Sequence, residues 1–310
     1  MWKLTIQPLT ANTEILFDLG VWEEAWKTRP RSSRYQKKSA PFDTEEAFER
    51  WARNYHAQSF TDEGQKRAAR IMGWIENQGV TFQGASVLDI GAASGIFTIP
   101  FAEKGAVVTA VEPSALLVSL MKDTIPADLQ NNITIVSERF EEISIQDKGW
   151  EKQYDIIFAS MCPAMSNWET IEQAINCARK YVYVSMMAGT KEHTLMDKLR
   201  TVLGKEVPYK AGDMAYLQQL LYLKGYSYTM IVTREINDFE ITVEELIEKL
   251  PEWLHTYDMP NDAAALSKAE KYIRETYQED VVPFSRGARF GKMLIHLEQA
   301  HMKTVPAVKR

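Results

Sequence analysis

The sequence predicts an α/β chain built on a doubly wound, mostly parallel sheet, with a helical extension in front of it. Two observations carry that expectation. Residues 87–98 read Val-Leu-Asp-Ile-Gly-Ala-Ala-Ser-Gly-Ile-Phe-Thr, so a short apolar run ends in Asp89, Gly91 and Gly95 bracket a tight turn, and a helix pattern follows. From residue 85 onward, short β-branched apolar runs alternate with helix-like segments, the pattern of parallel strands buried on both faces.

In chain order, residues 1–80 read as helical and rich in tryptophan (Trp2, Trp22, Trp26, Trp51, Trp74). Inside them Lys27, Arg29, Arg31, Arg34, Lys37 and Lys38 occur with no acid between, a basic stretch that reads as a loop or linker. Asp43-Thr-Glu-Glu reads as an N-cap entering a helix that carries Phe48, Trp51 and Tyr55. Strands are predicted at 86–90, 107–112, 133–137, 155–160 and 181–186, with helices at 95–104, 114–123 and 167–179 between them. Residues 214–224 then read as a helix, and 227–236 and 292–298 as strands. Two stretches exceed what the sheet needs: 188–212, and 238–288 with helix patterns at 242–255 and 262–279. Loops beyond about 12–15 residues in a compact domain are usually functional. Ligands of open α/β sheets bind beyond the carboxyl ends of the strands. The two insertions, with the N-terminal helices, are therefore expected to form a substrate lid; the plainer alternative is that they lengthen the fold or make a dimer surface. The expected layout is an N-terminal helical cap (1–80), a Rossmann-like domain (81–300) and a tail (301–310).

Composition narrows the function classes. Hydrophobic content of 45% and charged content of 25% are those of an ordinary globular protein, and a net charge of −6 argues against a generic nucleic-acid binder. No apolar run approaches the roughly 20 residues that span a membrane, and the first residues lack a signal-peptide core, so no membrane partner is expected. Two cysteines, Cys162 and Cys177, fit a reducing, cytoplasmic setting, and no metal-ligand spacing occurs.

A strand, a glycine turn and a helix start make a cradle for a polar ligand. A second strand-like run, Val107 to Val111, ends in Glu112, where an acid suits a ribose diol. The dinucleotide-binding spacing G-x-G-x-x-G is absent, which makes a dehydrogenase a poor fit. The stretch Asp89-Ile-Gly91-Ala-Ala93-Ser-Gly95 instead resembles motif I of the class I (Rossmann-like) S-adenosylmethionine-dependent methyltransferases, D-x-G-x-G-x-G, with Ala93 where the middle glycine usually stands. The resemblance covers about 85–300. It implies a seven-stranded sheet whose last strand is antiparallel, S-adenosylmethionine as methyl donor and S-adenosylhomocysteine as product. It places the amino-acid end of the donor against Asp89 and the Gly91–Ala93–Gly95 loop, and the ribose on Glu112. Glu138 would accept the adenine amino group, Phe140 would pack beside the adenine, and Ser160 would close the donor side at the end of the fourth strand.

The loop that follows, Met161-Cys162-Pro163, faces the methyl group in this family. Members that methylate amino groups of bases or glutamine carry Asn-Pro-Pro-Tyr there, and Ser-Met-Cys-Pro departs from it. Cys162 reads as a packed thiol rather than a nucleophile, because cytosine-C5 enzymes have Pro-Cys and no base partner is evident here. On the acceptor side, Tyr55 would lie over the donor. His56 would be a general base for a hydroxyl or amine acceptor, or else a helix-end histidine. Arg286 and Arg289 suit a carboxylate or phosphate, or are solvated loop charges. The expected function is methyl transfer by in-line displacement to a small-molecule acceptor, anionic or aromatic, with the oligomeric state left open. The alternatives are a methyltransferase of RNA or protein docking through 27–38, and a non-catalytic cofactor-binding protein.

Overall fold

A computed structural model of the chain describes residues 13–29, 45–206 and 212–298. The basic stretch from residue 30 to Lys38, the cap at Asp43, Trp2, residues 207–211 of the first insertion and the tail 301–310 lie outside the described residues. The chain divides into two units. The first holds the described residues up to Ser185, Tyr216–Met230 and those from Lys292 onward; the second holds Met186–Ala215 and Ile231–Gly291.

In the first unit a 3-10 turn, Thr13–Phe17, leads into helices α1 (Leu19–Thr28), α2 (Glu45–Ser59) and α3 (Asp62–Glu76). Strands and helices then alternate: β1 (Ser86–Ile90), α4 (Thr98–Glu103), β2 (Val107–Val111), α5 (Ala115–Thr124), β3 (Ile133–Val136), β4 (Tyr154–Ser160), α6 (Trp168–Cys177) and β5 (Ala178–Met187). The five strands come within a few residues of their predicted bounds, because each is built on a short apolar run. Helix α4 starts at Thr98 rather than at 95, since Gly95 takes a φ of 92°, which a helix does not admit. Helix starts are fixed by local chemistry: Thr61 accepts the Gly64 N–H at the start of α3, and Asn167 accepts the Thr170 N–H at the start of α6. Apolar residues of α3 (Ile71, Met72, Ile75) bury themselves with Val87, Val108 and Ile156 of the sheet.

The sheet order is β3-β2-β1-β4-β5-β8-β6, with β7 pairing β8 and the last strands antiparallel. Strand β1 pairs in parallel with both β2 and β4, so Asp89 stands between Ala110 and Phe158. The chain runs from β1 outward to β3, then returns to the other side of β1 as β4. The carboxyl ends of β1 and β4 therefore flank the topological switch point, where a doubly wound sheet opens a crevice for ligand.

The second unit contains β6 (Glu192–His193), α7 (Thr194–Val202), α9 (Val243–Thr256) and α10 (Ala263–Thr276). The chain returns through α8 (Asp213–Leu223), β7 (Ser227–Thr242) and β8 (Val281–His296). Leu199, Leu246, Leu250, Leu254 and Ile273 form its core. Two strands are longer than predicted: β7 and β8 each run for 16 residues, so 238–242 and 281–288 are strand rather than insertion. Their extra turns bury Ile241, Val282, Phe284 and Ala288, but Glu240, Pro283 and Gly287 break the alternation that sequence reasoning relies on. The sheet has eight strands rather than the expected seven; the additional one, β6, is two residues long and has no readable periodicity.

Candidate functional site

Asp89 closes β1 with only 2% of its surface exposed. Its Oδ2 accepts a hydrogen bond from Thr98 Oγ1 at 2.6 Å. Burial pushes the carboxyl up to about 7; the Thr98 bond works against that and the nearby Glu112 charge adds to it. Glu112 lies 6% exposed just past β2. Its Oε2 accepts the Ala93 N–H at 3.0 Å and its Oε1 the Ser114 N–H at 2.9 Å. Burial raises its pKa too, opposed by those two backbone donors. Neither carboxylate forms an ion pair among the described residues. Two buried acids without a cation are costly in the empty protein, and such perturbed groups concentrate at functional sites.

The loop between them is tightly built. Gly91 N–H and Ala92 N–H both donate to Val111 O, at 2.9 and 3.1 Å, and Gly95 N–H donates to Ala92 O at 2.9 Å. With Ala93 on Glu112, these loop donors are used inside the protein, so the cradle is less open than the glycine pattern suggests. Gly91, Ala93 and Gly95 have φ values of 73°, 50° and 92°. Ala93 thus takes the left-handed backbone that favours glycine at the middle position of the motif. A Cβ on Gly91 would lie 2.6 Å from Cys162 Sγ. The loop after β4 therefore packs its thiol against the loop after β1, across the switch point. The Ser94 hydroxyl, inside the motif, is buried and has no hydrogen-bond partner among the described residues.

Ser160 and Met161 are held from β5. Ser160 and Ser185 hydroxyls lie 3.1 Å apart, and Met161 N–H donates to Ser185 O and Oγ at 3.0 and 3.1 Å. Met161 has a φ of 53° and is 44% exposed. A methionine kept left-handed and in solvent is backbone strain of the kind found at ligand sites. The Cys162 thiol is pushed up to about 12 by burial. Burial thus favours the thiol form at neutral pH and works against a nucleophilic role. Cys162→Ala is accordingly expected to keep methyl transfer within a few-fold of the wild-type rate; a loss beyond about a hundred-fold in single-turnover assays would restore a nucleophilic role.

Other sequence-predicted residues are placed differently. Glu138 is exposed and its Oε1 meets Lys148 Nζ at 2.6 Å. Phe140 is 2% exposed, with its carbonyl held by Gln173 Nε2. Tyr55, on α2, is close enough for the Asp89 and Glu112 charges to add to the rise in its pKa, which burial dominates. His56 has a buried Nδ1 without a hydrogen-bond partner among the described residues. In the second unit Arg286 lies over the Phe239 ring at 4.4 Å, and Arg289 Nε is 3.4 Å from Glu192, which also binds Arg234. Sequence reasoning did not single out Thr98, Ser94 or Ser185. Thr98 alone had a local sign, being the first hydroxyl in the helix after the glycine turn.

The residues present fit S-adenosylmethionine. Two buried acids end adjacent strands, and an orphaned hydroxyl sits in the turn between them. A doubly wound sheet with that pair at its switch point defines a domain for a nucleoside-bearing ligand. Residues 37–182 match the family of methyltransferase domains. Over those residues the chain carries a methyltransferase domain. Among solved structures, magnesium protoporphyrin IX methyltransferase of Synechocystis PCC 6803 with bound S-adenosylhomocysteine is 18% identical, covering 61% of this chain and 88% of that one, with a TM-score of 0.43. The YcgJ protein of Bacillus subtilis is 13% identical, covering 75% of this chain and all (100%) of that one, with a TM-score of 0.44. No curated protein sequence matches the chain. Among the described residues, no helix is long and apolar enough to cross a membrane.

Proposed function

We propose that the chain transfers a methyl group by in-line displacement to a small-molecule acceptor, anionic or aromatic, in the cytoplasm. The observation that carries the reading is the pair of buried carboxylates, Asp89 and Glu112, tied to one glycine turn. Bound S-adenosylmethionine supplies a methyl group on a good leaving group, so the protein's task is to position and to exclude water. Asp89 and the Gly91–Gly95 loop hold the amino-acid end, and Glu112 takes ribose hydroxyls with the lone pairs its backbone donors leave free. Glu138 reaches an adenine only by releasing Lys148, and Phe140 supports that pocket from the interior. Ser160, Met161 and Cys162 flank the methyl group, with Tyr55 over it. His56 Nδ1 takes the proton of a hydroxyl or amine acceptor.

The described part of the basic stretch gives no support to a polyanion reading: Lys27 Nζ pairs with Glu169 at 2.8 Å and Arg29 lies over the Tyr216 ring. The test is calorimetric titration with S-adenosylmethionine, S-adenosylhomocysteine and NAD. Micromolar binding of the first two alone is expected; no binding of either would end the reading.

Asp89 also makes stability and binding depend on pH. Its folded pKa, about 7, lies above the ordinary 3.8. Stability from the protonated form is fully present below about pH 4 and is lost as pH rises to about 7. Donor binding through the carboxylate then releases a proton below pH 7. Urea unfolding of ligand-free protein at pH 5 and pH 8 is expected to show a drop at the higher pH that Asp89→Asn largely removes. Equal drops in both proteins would refute the assignment.

A further inference from the structure

Helix α2 carries a row of aromatic rings of which the donor-site reading uses only Tyr55. Phe48, Trp51 and Tyr55 are spaced i, i+3 and i+7, which puts them on one side of a helix. Ring centroids of Phe48 and Trp51 are 5.7 Å apart, and those of Trp51 and Tyr55 are 5.3 Å apart at 26°. Ala52 and Ser59 are the buried residues of the helix, so the row runs along the margin of its buried face. Helix α2 packs on α5, the helix that starts at Ser114 beside Glu112. The inner end of the row, Tyr55, feels both donor carboxylates, while Trp51 remains 40% exposed. The row thus runs from a tyrosine within electrostatic reach of the donor carboxylates to a tryptophan that is partly in solvent. Beside its inner end lies the buried His56 Nδ1, without a hydrogen-bond partner among the described residues.

We propose that the Phe48–Trp51–Tyr55 row seats the methyl acceptor, and that the acceptor is an uncharged planar aromatic molecule. This rests on the methyltransferase reading above. Aromatic rings spaced along a helix offer offset or edge-on packing to a flat ring, an attraction that a saturated ring of equal size does not share. The acidic residues at the inner end disfavour an anion there, which narrows the anionic-or-aromatic choice to the uncharged aromatic. Continuity with the donor site distinguishes this row from an ordinary exposed aromatic surface.

The test uses the full chain saturated with S-adenosylhomocysteine and titrated with 2-naphthol or its saturated counterpart, decahydro-2-naphthol. The aromatic probe is expected to bind about ten-fold more tightly, in line with stacking on two rings. Trp51→Leu, which keeps apolar bulk, is expected to abolish that preference while S-adenosylhomocysteine affinity stays within about two-fold, which also shows the variant is folded. Equal binding of the two probes, no binding of 2-naphthol, or a preference that survives in Trp51→Leu would overturn the proposal. Failure of the wild type to bind S-adenosylhomocysteine would instead sink the donor-site reading, and this inference with it.

Discussion

Glu112→Ala is expected to weaken S-adenosylhomocysteine binding by about a hundred-fold and to destabilise the ligand-free protein by about 2–4 kcal/mol. Both effects have one cause. The side chain is a ligand group, but it is also a clamp: one oxygen holds Ala93 N–H in the glycine turn and the other holds Ser114 N–H at the start of α5. Removing it leaves two partly buried donors unpaired, each costing about 1–3 kcal/mol where water does not replace the carboxylate. Relief from burying a charge offsets part of that, since burial already raises the Glu112 pKa. The turn is then free to move, and Ala93, held at a φ of 50°, is the residue most ready to leave its conformation. Glu112→Gln separates the roles. Its amide keeps one acceptor oxygen and turns an NH2 toward the other donor, so an intermediate loss of stability is expected, with donor binding still strongly reduced. Denaturant unfolding and calorimetry on both variants check this; wild-type affinity in Glu112→Ala would remove Glu112 from the site.

The donor site was legible in the sequence because its parts are local. Asp89, Gly91, Gly95 and Glu112 lie at two successive strand ends, where a run of apolar residues stops at an acid or a glycine turn. What sequence could not show is everything that depends on apposition across the sheet. Cys162 reads as a small packed thiol from sequence, but that it packs on Gly91 requires β4 to lie beside β1. Glu138 reads as a free acid past β3 until Lys148 is brought to it. Arg289 reads as a free cation until β6 presents Glu192. The sheet beyond β5 was half legible: the apolar halves of β7 and β8 announced themselves, while their other halves carry charge, proline and glycine and look like loop.

Gly91→Ala is expected to be the most damaging single-methyl change in the site. Two costs add. The backbone at Gly91 has a φ of 73°, which an L-residue adopts at about 1–2 kcal/mol. The new Cβ would stand 2.6 Å from Cys162 Sγ and 3.2 Å from Cys162 Cβ, so the loop after β4 must retreat, at a further cost of about 1–3 kcal/mol. That loop carries Met161, already left-handed and anchored to Ser185, so the displacement reaches the residues proposed to flank the methyl group. A fall of at least about ten-fold in donor affinity should accompany the loss of stability. The double variant Gly91→Ala, Cys162→Ala divides the two costs, because shortening Cys162 removes the sulfur contact and leaves the backbone strain. It should recover about half of the lost stability, with a coupling of about 1 kcal/mol or more between the sites. Additive effects in urea unfolding would mean that Gly91 and Cys162 do not meet, and that the crevice at the switch point is wider than this packing makes it.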